Sequence, residues 1–340
     1  MLRRLPIYLL LDCSESMAGD PLKAVETGVM SMISTLRKNP HALETAFLSV
    51  LTFDAKARVA APLTELISFT MPKLTFRPGT SLGAALDLLR EQMAKEIVLN
   101  TKEVKGDFKP LVFILTDGQP TDAWSEAAAR LRSSSAIKAT IYAIGCGDEV
   151  DFETLSKIAH YCLHTDDLTK EALGSVFAWV SASVGSRSTR PEVEGEGEVQ
   201  DIPLKPGLKL IDIKNPPKFT GQNKRVYLHV LCSKTHKPFL IRYQLLPNSP
   251  NYGIKDILIV SDDFLSEGAL KSPPIDANRL GGMPVCPHCG ALGWFQCTCG
   301  TLNCINLEKS KNNIVTCANC HQLGRLAAAA GAFNVDGSVG

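Results

Sequence analysis

Pro6-Ile7-Tyr8-Leu9-Leu10-Leu11 is an unbroken apolar run that stops on a carboxylate, Asp12. A strand with one wet face alternates apolar and polar residues. A run that is apolar at every position suits a strand covered on both faces, as in the middle of a parallel sheet. The rest of the N-terminal half agrees with that reading. Val25, Val29, Met32, Ile33 and Leu36 recur at helical spacing, residues 47–53 read as a second strand, and residues 58–61 as a short edge partner. Leu82, Ala85, Leu86, Leu89, Met93 and Ile97 line one face of a helix. Residues 111–115 form another buried strand, followed by a helix over 122–132, a strand over 137–144 and a helix over 152–159. A short strand over 161–165 and a helix over 170–184 close the unit. Alternation of this kind predicts an α/β fold with a doubly wound, mostly parallel, Rossmann-like sheet over residues 1–186. Its site is expected at the C-terminal ends of the strands.

The composition changes from Gly185 onward. Residues 187–272 read as a linker and a small β-rich region, with strand-like segments over 225–233 and 238–245. Ser272-Pro273-Pro274 then leads into a cysteine-rich, zinc-ribbon-like domain expected over 273–325, and the Ala/Gly-rich residues 326–340 are expected to be disordered. A net charge of +1 offers no strong attraction for nucleic acid or an anionic membrane. No apolar stretch is long enough to span a bilayer. Arg3 and Arg4 before Ile7–Leu11, with Cys13 beyond, imitate a signal or lipoprotein segment. The run is too short for one, and Asp12 stands where a small residue is needed, so the chain is expected in the cytoplasm.

Seven of the 11 cysteines lie between Cys286 and Cys320, together with His288 and, just beyond, His321. Without an export signal, such clustering reads as metal ligation in preference to disulfides. Cys286-Pro287-His288-Cys289 and Cys317-Ala318-Asn319-Cys320 are two Cys-x-x-Cys hooks, and paired hooks are a strong Zn²⁺ signal. Four ligands complete a tetrahedral ion, so seven thiolates exceed one site. The first expectation is one structural Zn²⁺ on Cys286, Cys289, Cys317 and Cys320. Cys297, Cys299 and Cys304 would then build a second site with His288 or His321, and other pairings among the seven stay open. Such ions would serve folding, because so short a segment has too little core of its own. Cys13, Cys146, Cys162 and Cys232 are scattered and read as small buried residues.

Three short motifs flank the elements that a doubly wound sheet brings to one edge. Asp12-Cys13-Ser14-Glu15-Ser16 follows the first strand, Gly79-Thr80-Ser81 opens a helix, and Thr116-Asp117-Gly118 follows the fourth strand. Singly, the first is a capped helix start and the last a turn. Together they set Asp12, Ser14, Ser16, Thr80 and Asp117 in loops at one edge. Alternate residues of Asp-x-Ser-x-Ser turn toward one point, and Cys13 and Glu15 turn away. Hydroxyls and carboxylates without His or Cys suit Mg²⁺ or another hard divalent cation.

This pattern resembles the metal-ion-dependent adhesion site of von Willebrand A (vWA) domains, with all five positions present. The chain is more closely similar to the TerY-type vWA proteins of bacterial tellurium-resistance and stress operons, through residues 4–12, 43–50, 109–113, 115–122 and 179–183. The cysteine-rich tail looks like that family's metal-binding domain. The resemblance implies a non-enzymatic binding module whose Mg²⁺ keeps one coordination position for an Asp or Glu of a protein partner. Asp12, Ser14, Ser16 and Thr80 would ligate directly or through water, and Asp117 through water. It also implies a setting alongside a serine/threonine kinase and a PP2C-type phosphatase. A phosphatase of the haloacid dehalogenase type also places an Asp after a first strand, but it needs a second Asp where this chain has Ser14. A rival reading places partner recognition in the zinc domain.

Overall fold

The apolar run becomes β1 (Leu5–Asp12), and all its residues are buried. The structure, a computed structural model, describes residues 3–103, 105–133, 138–189, 203–218, 224–262, 275–305, 314–326, 334–335 and 338–339. They fall into two compact units, 1–220 and 221–340. In the first, β1 pairs in parallel with β2 (Ala46–Phe53) on one side. β3 (Ala57–Glu65) is an antiparallel edge strand beyond β2. On the other side of β1 lie β4 (Leu111–Thr116), β5 (Thr140–Cys146) and β6 (Tyr161–Thr165), all parallel to it. β7 (Leu208–Ile211) closes this edge, antiparallel to β6. The order is β3-β2-β1-β4-β5-β6-β7.

Each central strand feeds two cores, one on each face, through the two-residue period of a strand. Leu5, Ile7, Leu9 and Leu11 pack on one face with Leu111, Phe113 and Leu115. Tyr8 and Leu10 pack on the other with Val112 and Ile114. The first face is covered by α1 (Asp20–Arg37), the short α2 (Pro40–Thr45) and a later helix, α6 (Lys170–Thr189). The second is covered by α3 (Leu82–Glu96), α4 (Trp124–Ser133) and α5 (Phe152–Ile158). Close approach of α1 and α6 depends on Gly28, where a Cβ would lie 2.2 Å from the Phe177 ring. Among the described residues, no helix is long and apolar enough to cross a membrane.

The second unit is built on an antiparallel meander of β8 (Arg225–Leu231), β9 (Pro238–Leu245) and β10 (Tyr252–Ile259). After β11 (Ile275–Asp276), β12 (Leu280–Gly281) runs parallel to β10. β13 (Trp294–Gln296) and β14 (Leu302–Cys304) form a hairpin, and β14 lies parallel to β8. β15 (Ile314–Thr316) and β16 (Leu323–Arg325) form a separate hairpin. β17 (Asn334–Val335) pairs with β11, and β18 (Ser338–Val339) with β8. Val226, Leu228, Val230, Phe239, Ile241 and Tyr243 share one core with Cys232, Cys286 and Cys304.

These pairings redraw the expected boundaries. Within the 187–272 segment, the first residues end α6, β7 joins the first sheet, and β8–β10 belong to the second unit. Nor does residue 273 begin a separate domain, because β8–β10 share a sheet with β12–β14. The expected disordered tail contains two paired segments, with Val335 fully buried in the second core. The remainder of 327–340 lies outside the described residues, as do residues 190–202 of the expected linker. A chain ending at residue 220 is therefore expected to melt in one cooperative transition. A chain ending at 272 keeps β8–β10 without β14 and should show an added protease-sensitive segment beyond residue 220, seen by limited proteolysis with mass spectrometry.

Candidate metal centres

The parallel strands deliver their C-terminal loops to one edge of the sheet. Asp12 ends β1, and a short 3₁₀ turn over Glu15–Met17 comes after it. This turn brings the serines together. Ser14 Oγ lies 2.7 Å from Ser16 Oγ, and Ser16 Oγ donates to Asp117 Oδ1 at 2.5 Å. The Ser14 amide donates to Asp12 Oδ1 at 2.9 Å, and the Thr116 hydroxyl to Asp12 Oδ2 at 2.5 Å. The third loop is close as well, since a Cβ on Gly118 would lie 3.8 Å from Thr80 Oγ1. Its backbone is clamped by Thr121, whose hydroxyl accepts from the Thr80 amide at 3.1 Å and whose amide donates to the Thr80 carbonyl at 2.9 Å. All five predicted positions therefore converge. Each is buried, and Asp12 and Asp117 are fully so.

Two neighbours of these positions act as supports. Glu15 turns away from the serines, and its Oε2 accepts from the Gly79 amide at 2.7 Å, tying the first loop to the one that carries Thr80. Gly79 needs to be glycine there, because its φ is 99°. Cys13 turns into the core, where burial above all holds its thiol well above the usual range. Burial does the same to Cys146 at the end of β5. Burial first, and then the Asp117 charge, push the Asp12 carboxyl up from its ordinary value. Both of the neutral groups that hold it, the Ser14 amide and the Thr116 hydroxyl, pull the other way and do not offset this. Two buried carboxylates with hydroxyls between them form an all-oxygen donor set, which fits a hard divalent cation.

The cysteines form two sets of four. Sγ atoms of Cys232, Cys286, Cys289 and Cys304 lie within 4.8 Å of one another, as do those of Cys297, Cys299, Cys317 and Cys320. The shortest separations are 3.6 Å for Cys289–Cys304 and for Cys297–Cys320, and 3.7 Å for Cys299–Cys317. A tetrahedral Zn²⁺ with bonds of about 2.3 Å sets its sulfurs about 3.8 Å apart, so both sets fit it. All are free thiols, without a disulfide.

Cys232, Cys286 and Cys317 each open the same turn. The amide four residues on, of His236, Gly290 or His321, donates to the cysteine carbonyl at 2.8, 2.9 and 3.1 Å. The cysteine amide donates to the carbonyl five residues on, of Lys237, Ala291 or Gln322, at 2.9, 2.8 and 3.1 Å. His236, Gly290 and His321 sit in the left-handed region at φ 60°, 73° and 60°. Turns of this kind point backbone amides at sulfur: the Thr235 amide reaches Cys232 Sγ, and the Asn319 amide Cys317 Sγ, both at 3.4 Å.

This grouping corrects the expected one. Cys286 and Cys289 do not share a cluster with Cys317 and Cys320. Their partners are Cys304 and Cys232, while Cys297 and Cys299 join Cys317 and Cys320. Neither histidine belongs to a cluster among the described residues. The His288 Nε2 is 3.0 Å from the Pro238 carbonyl, and His321 lies beside His236 with ring centroids 5.9 Å apart. Cys232 is the residue that sequence reasoning missed. Its turn carries Thr235 where the turns at Cys286 and Cys317 carry a second cysteine, so no Cys-x-x-Cys marks it.

The von Willebrand factor type A domain model matches residues 7–169, and the TerY-C metal binding domain model matches residues 222–340. An uncharacterised protein of Synechocystis is 28% identical over 165 residues, 46% of this chain and 36% of that protein. Chicken (Gallus gallus) matrilin-3 is 26% identical over 163 residues, 46% of this chain and 34% of that protein. The chain thus spans about a third of the length of these curated relatives. Among solved structures, proximal thread matrix protein 1 of the mussel byssus, with a zinc-occupied MIDAS motif, is 19% identical with a TM-score of 0.40. That match covers 54% of this chain and 48% of the mussel chain.

Because the folded state raises the Asp12 carboxyl above its unfolded value, ionising it costs folding free energy when no cation is present. The cation-free fold should lose stability as pH rises above the ordinary carboxylate range. Added Mg²⁺ at neutral pH should then raise the melting temperature of the wild type and leave that of Asp12→Asn unchanged, as read by differential scanning fluorimetry. For the thiolates, elemental analysis should find two zinc ions per chain and no more than one after Cys232→Ser. A single centre on Cys286, Cys289, Cys317 and Cys320 would leave zinc content insensitive to that substitution.

Proposed function

The chain belongs to the TerY-type von Willebrand factor A proteins with a C-terminal metal-binding domain, and from that premise we propose that it is a divalent-cation-dependent protein-binding scaffold. The observation that carries the reading is the convergence of Asp12 and Asp117, both fully buried, on the Ser14 and Ser16 hydroxyls at the strand ends. An ion held mainly by neutral hydroxyls stays electrophilic, and an Asp or Glu offered by a partner completes its shell. Oxygen donors favour Mg²⁺ at this site, and eight thiolates in two sets favour Zn²⁺ in the second unit. The Mg²⁺ would be held by Asp12, Ser14, Ser16 and Thr80, with Asp117 acting through water. The two zinc ions would be held by Cys232, Cys286, Cys289 and Cys304, and by Cys297, Cys299, Cys317 and Cys320.

The site supplies binding and not turnover. No carboxylate stands at position 14 to act as the acid/base partner of Asp12, and the adjacent thiols stay protonated. We assign it to the cytoplasm, where reduced thiols remain available to zinc. A serine/threonine kinase and a PP2C-type phosphatase are the partners to try first, on the family resemblance. A second reading, with recognition carried by the zinc-binding unit, is favoured by that unit's exposed Met283, Val285 and Leu292.

Pull-down from native lysate in Mg²⁺ buffer without chelator separates the two, since chelator would also strip zinc. Asp12→Ala should lose the kinase and phosphatase that the wild type captures, with zinc content unchanged. Retention of both partners by Asp12→Ala would move recognition to the second unit.

A further inference from the structure

The two thiolate clusters are interleaved along the chain, and one buried residue links their segments. Asn303 sits in β14 with no exposed surface, immediately before Cys304. Its Nδ2 donates to Cys317 Sγ at 3.5 Å and to the Thr301 carbonyl at 3.0 Å. Its Oδ1 accepts from the Ala318 amide at 2.8 Å. Asn303 thus grips the Cys317 turn of one cluster, while its neighbour Cys304 belongs to the other. Opposite it, the Ala318 carbonyl lies 3.1 Å from His236 Nδ1, in the turn opened by Cys232. Both holds on Ala318 therefore come from segments that carry ligands of the first cluster.

The first cluster also fixes the strand that carries Asn303. Cys304 Sγ accepts from the Ser233 amide at 3.2 Å, and the Ser233 hydroxyl donates to the Cys304 carbonyl. β14 is paired to β8 through Leu302–Val230 and Asn303–Leu231, and β8 runs directly into Cys232. The clusters differ in access as well. Cys232, Cys286 and Cys304 are buried, whereas Cys299 and Cys320 of the second are exposed. Cys232, Cys286, Cys289 and Cys304 pack in the core of this unit, which none of the second cluster's cysteines joins.

We propose that Asn303 makes the second thiolate centre conditional on the first: an ion on Cys232, Cys286, Cys289 and Cys304 seats β14, and Asn303 then presets the Cys317 turn for the second ion. Hydrogen bonds outside the ligand shell fix ligand orientation, and their loss typically costs about 10- to 100-fold in metal affinity. Linkage makes the effect mutual, so each ion raises the affinity for the other by the same factor. The inference rests on the reading of both clusters as metal centres.

The test is a titration of the full-length apoprotein with Co²⁺, followed by the thiolate-to-cobalt absorption of each centre and by Zn²⁺ competition against a chromogenic chelator. Asn303→Asp keeps the acceptor for the Ala318 amide and loses the donor to Cys317. It should bind the first ion as the wild type does and the second about 10-fold or more weakly. Asn303→Ala, which adds no charge, should show the same pattern, and an unchanged first-centre spectrum reports that the variant is folded. Cys232→Ser should weaken the second centre in the wild-type background and have little further effect on it in the Asn303→Asp background. Wild-type affinity for both ions in the two Asn303 variants would overturn the proposal, as would an equal effect of Cys232→Ser in both backgrounds. A wild-type chain that binds fewer than two ions would remove the two-centre reading, and the inference with it.

Discussion

Asp12 and Asp117 lie at the ends of adjacent parallel strands and are fully buried, Asp12 held by the Ser14 amide and Asp117 by the Ser16 hydroxyl, with the Ser14 and Ser16 hydroxyls in contact between them. Two carboxylates in that position cannot both ionise in a dry environment without opposing charge. The chain meets that constraint with neutral donors, the Thr116 hydroxyl and the Ser14 amide on Asp12, and leaves full compensation to a cation. The rest of the first unit keeps this arrangement in place. Helices on both faces fix the strands, the sheet aligns the strand ends, and Glu15 anchors the loop of Thr80 to that of the serines. Burial raises the energy of the ion-free state, and the same burial strengthens the attraction for an incoming ion and for the carboxylate of a partner.

In the second unit thiolates have the corresponding role. Several of its strands have only two or three residues, and the core that β8–β10 provide is shared with Cys232, Cys286 and Cys304. Such a unit gains much of its folding free energy from metal, because the ligands are gathered only in the folded chain. Interleaved ligands then distribute that gain. A strand that supplies a ligand to one cluster and a hydrogen bond to the other makes the two hard to separate.

Much of this was legible in the sequence, for reasons that differ by element. β1 and β4 could be read because strands covered on both faces are apolar at every position, and α1 and α3 because an amphipathic helix repeats its apolar positions. The oxygen site could be read because its donors lie close to strand and helix ends, where topology alone decides who meets whom. β7 could not be read, since Leu208–Ile211 is short and two of its residues, Lys209 and Leu210, face solvent. The cluster pairing could not be read either. Hooks show where thiolates are but not which hooks face each other, and that is set by how β8 and β14 lie side by side. Cys232 carried no Cys-x-x-Cys sign at all, and its signal exists only in the turn it shares with Cys286 and Cys317. Paired segments at 334–335 and 338–339 were hidden in an Ala/Gly-rich stretch whose composition suggests no strand.

The central claim is that a divalent cation occupies the strand-end site, and it is tested most directly by anomalous diffraction from crystals of the full chain grown with Mn²⁺ in place of Mg²⁺. One anomalous peak is predicted at the strand ends, about 2.1 Å from the Ser14 and Ser16 hydroxyls and within direct or one-water reach of Asp12, Thr80 and Asp117. A peak confined to other parts of the molecule, with Asp12 and Asp117 unchanged around an ion-free site, would contradict it.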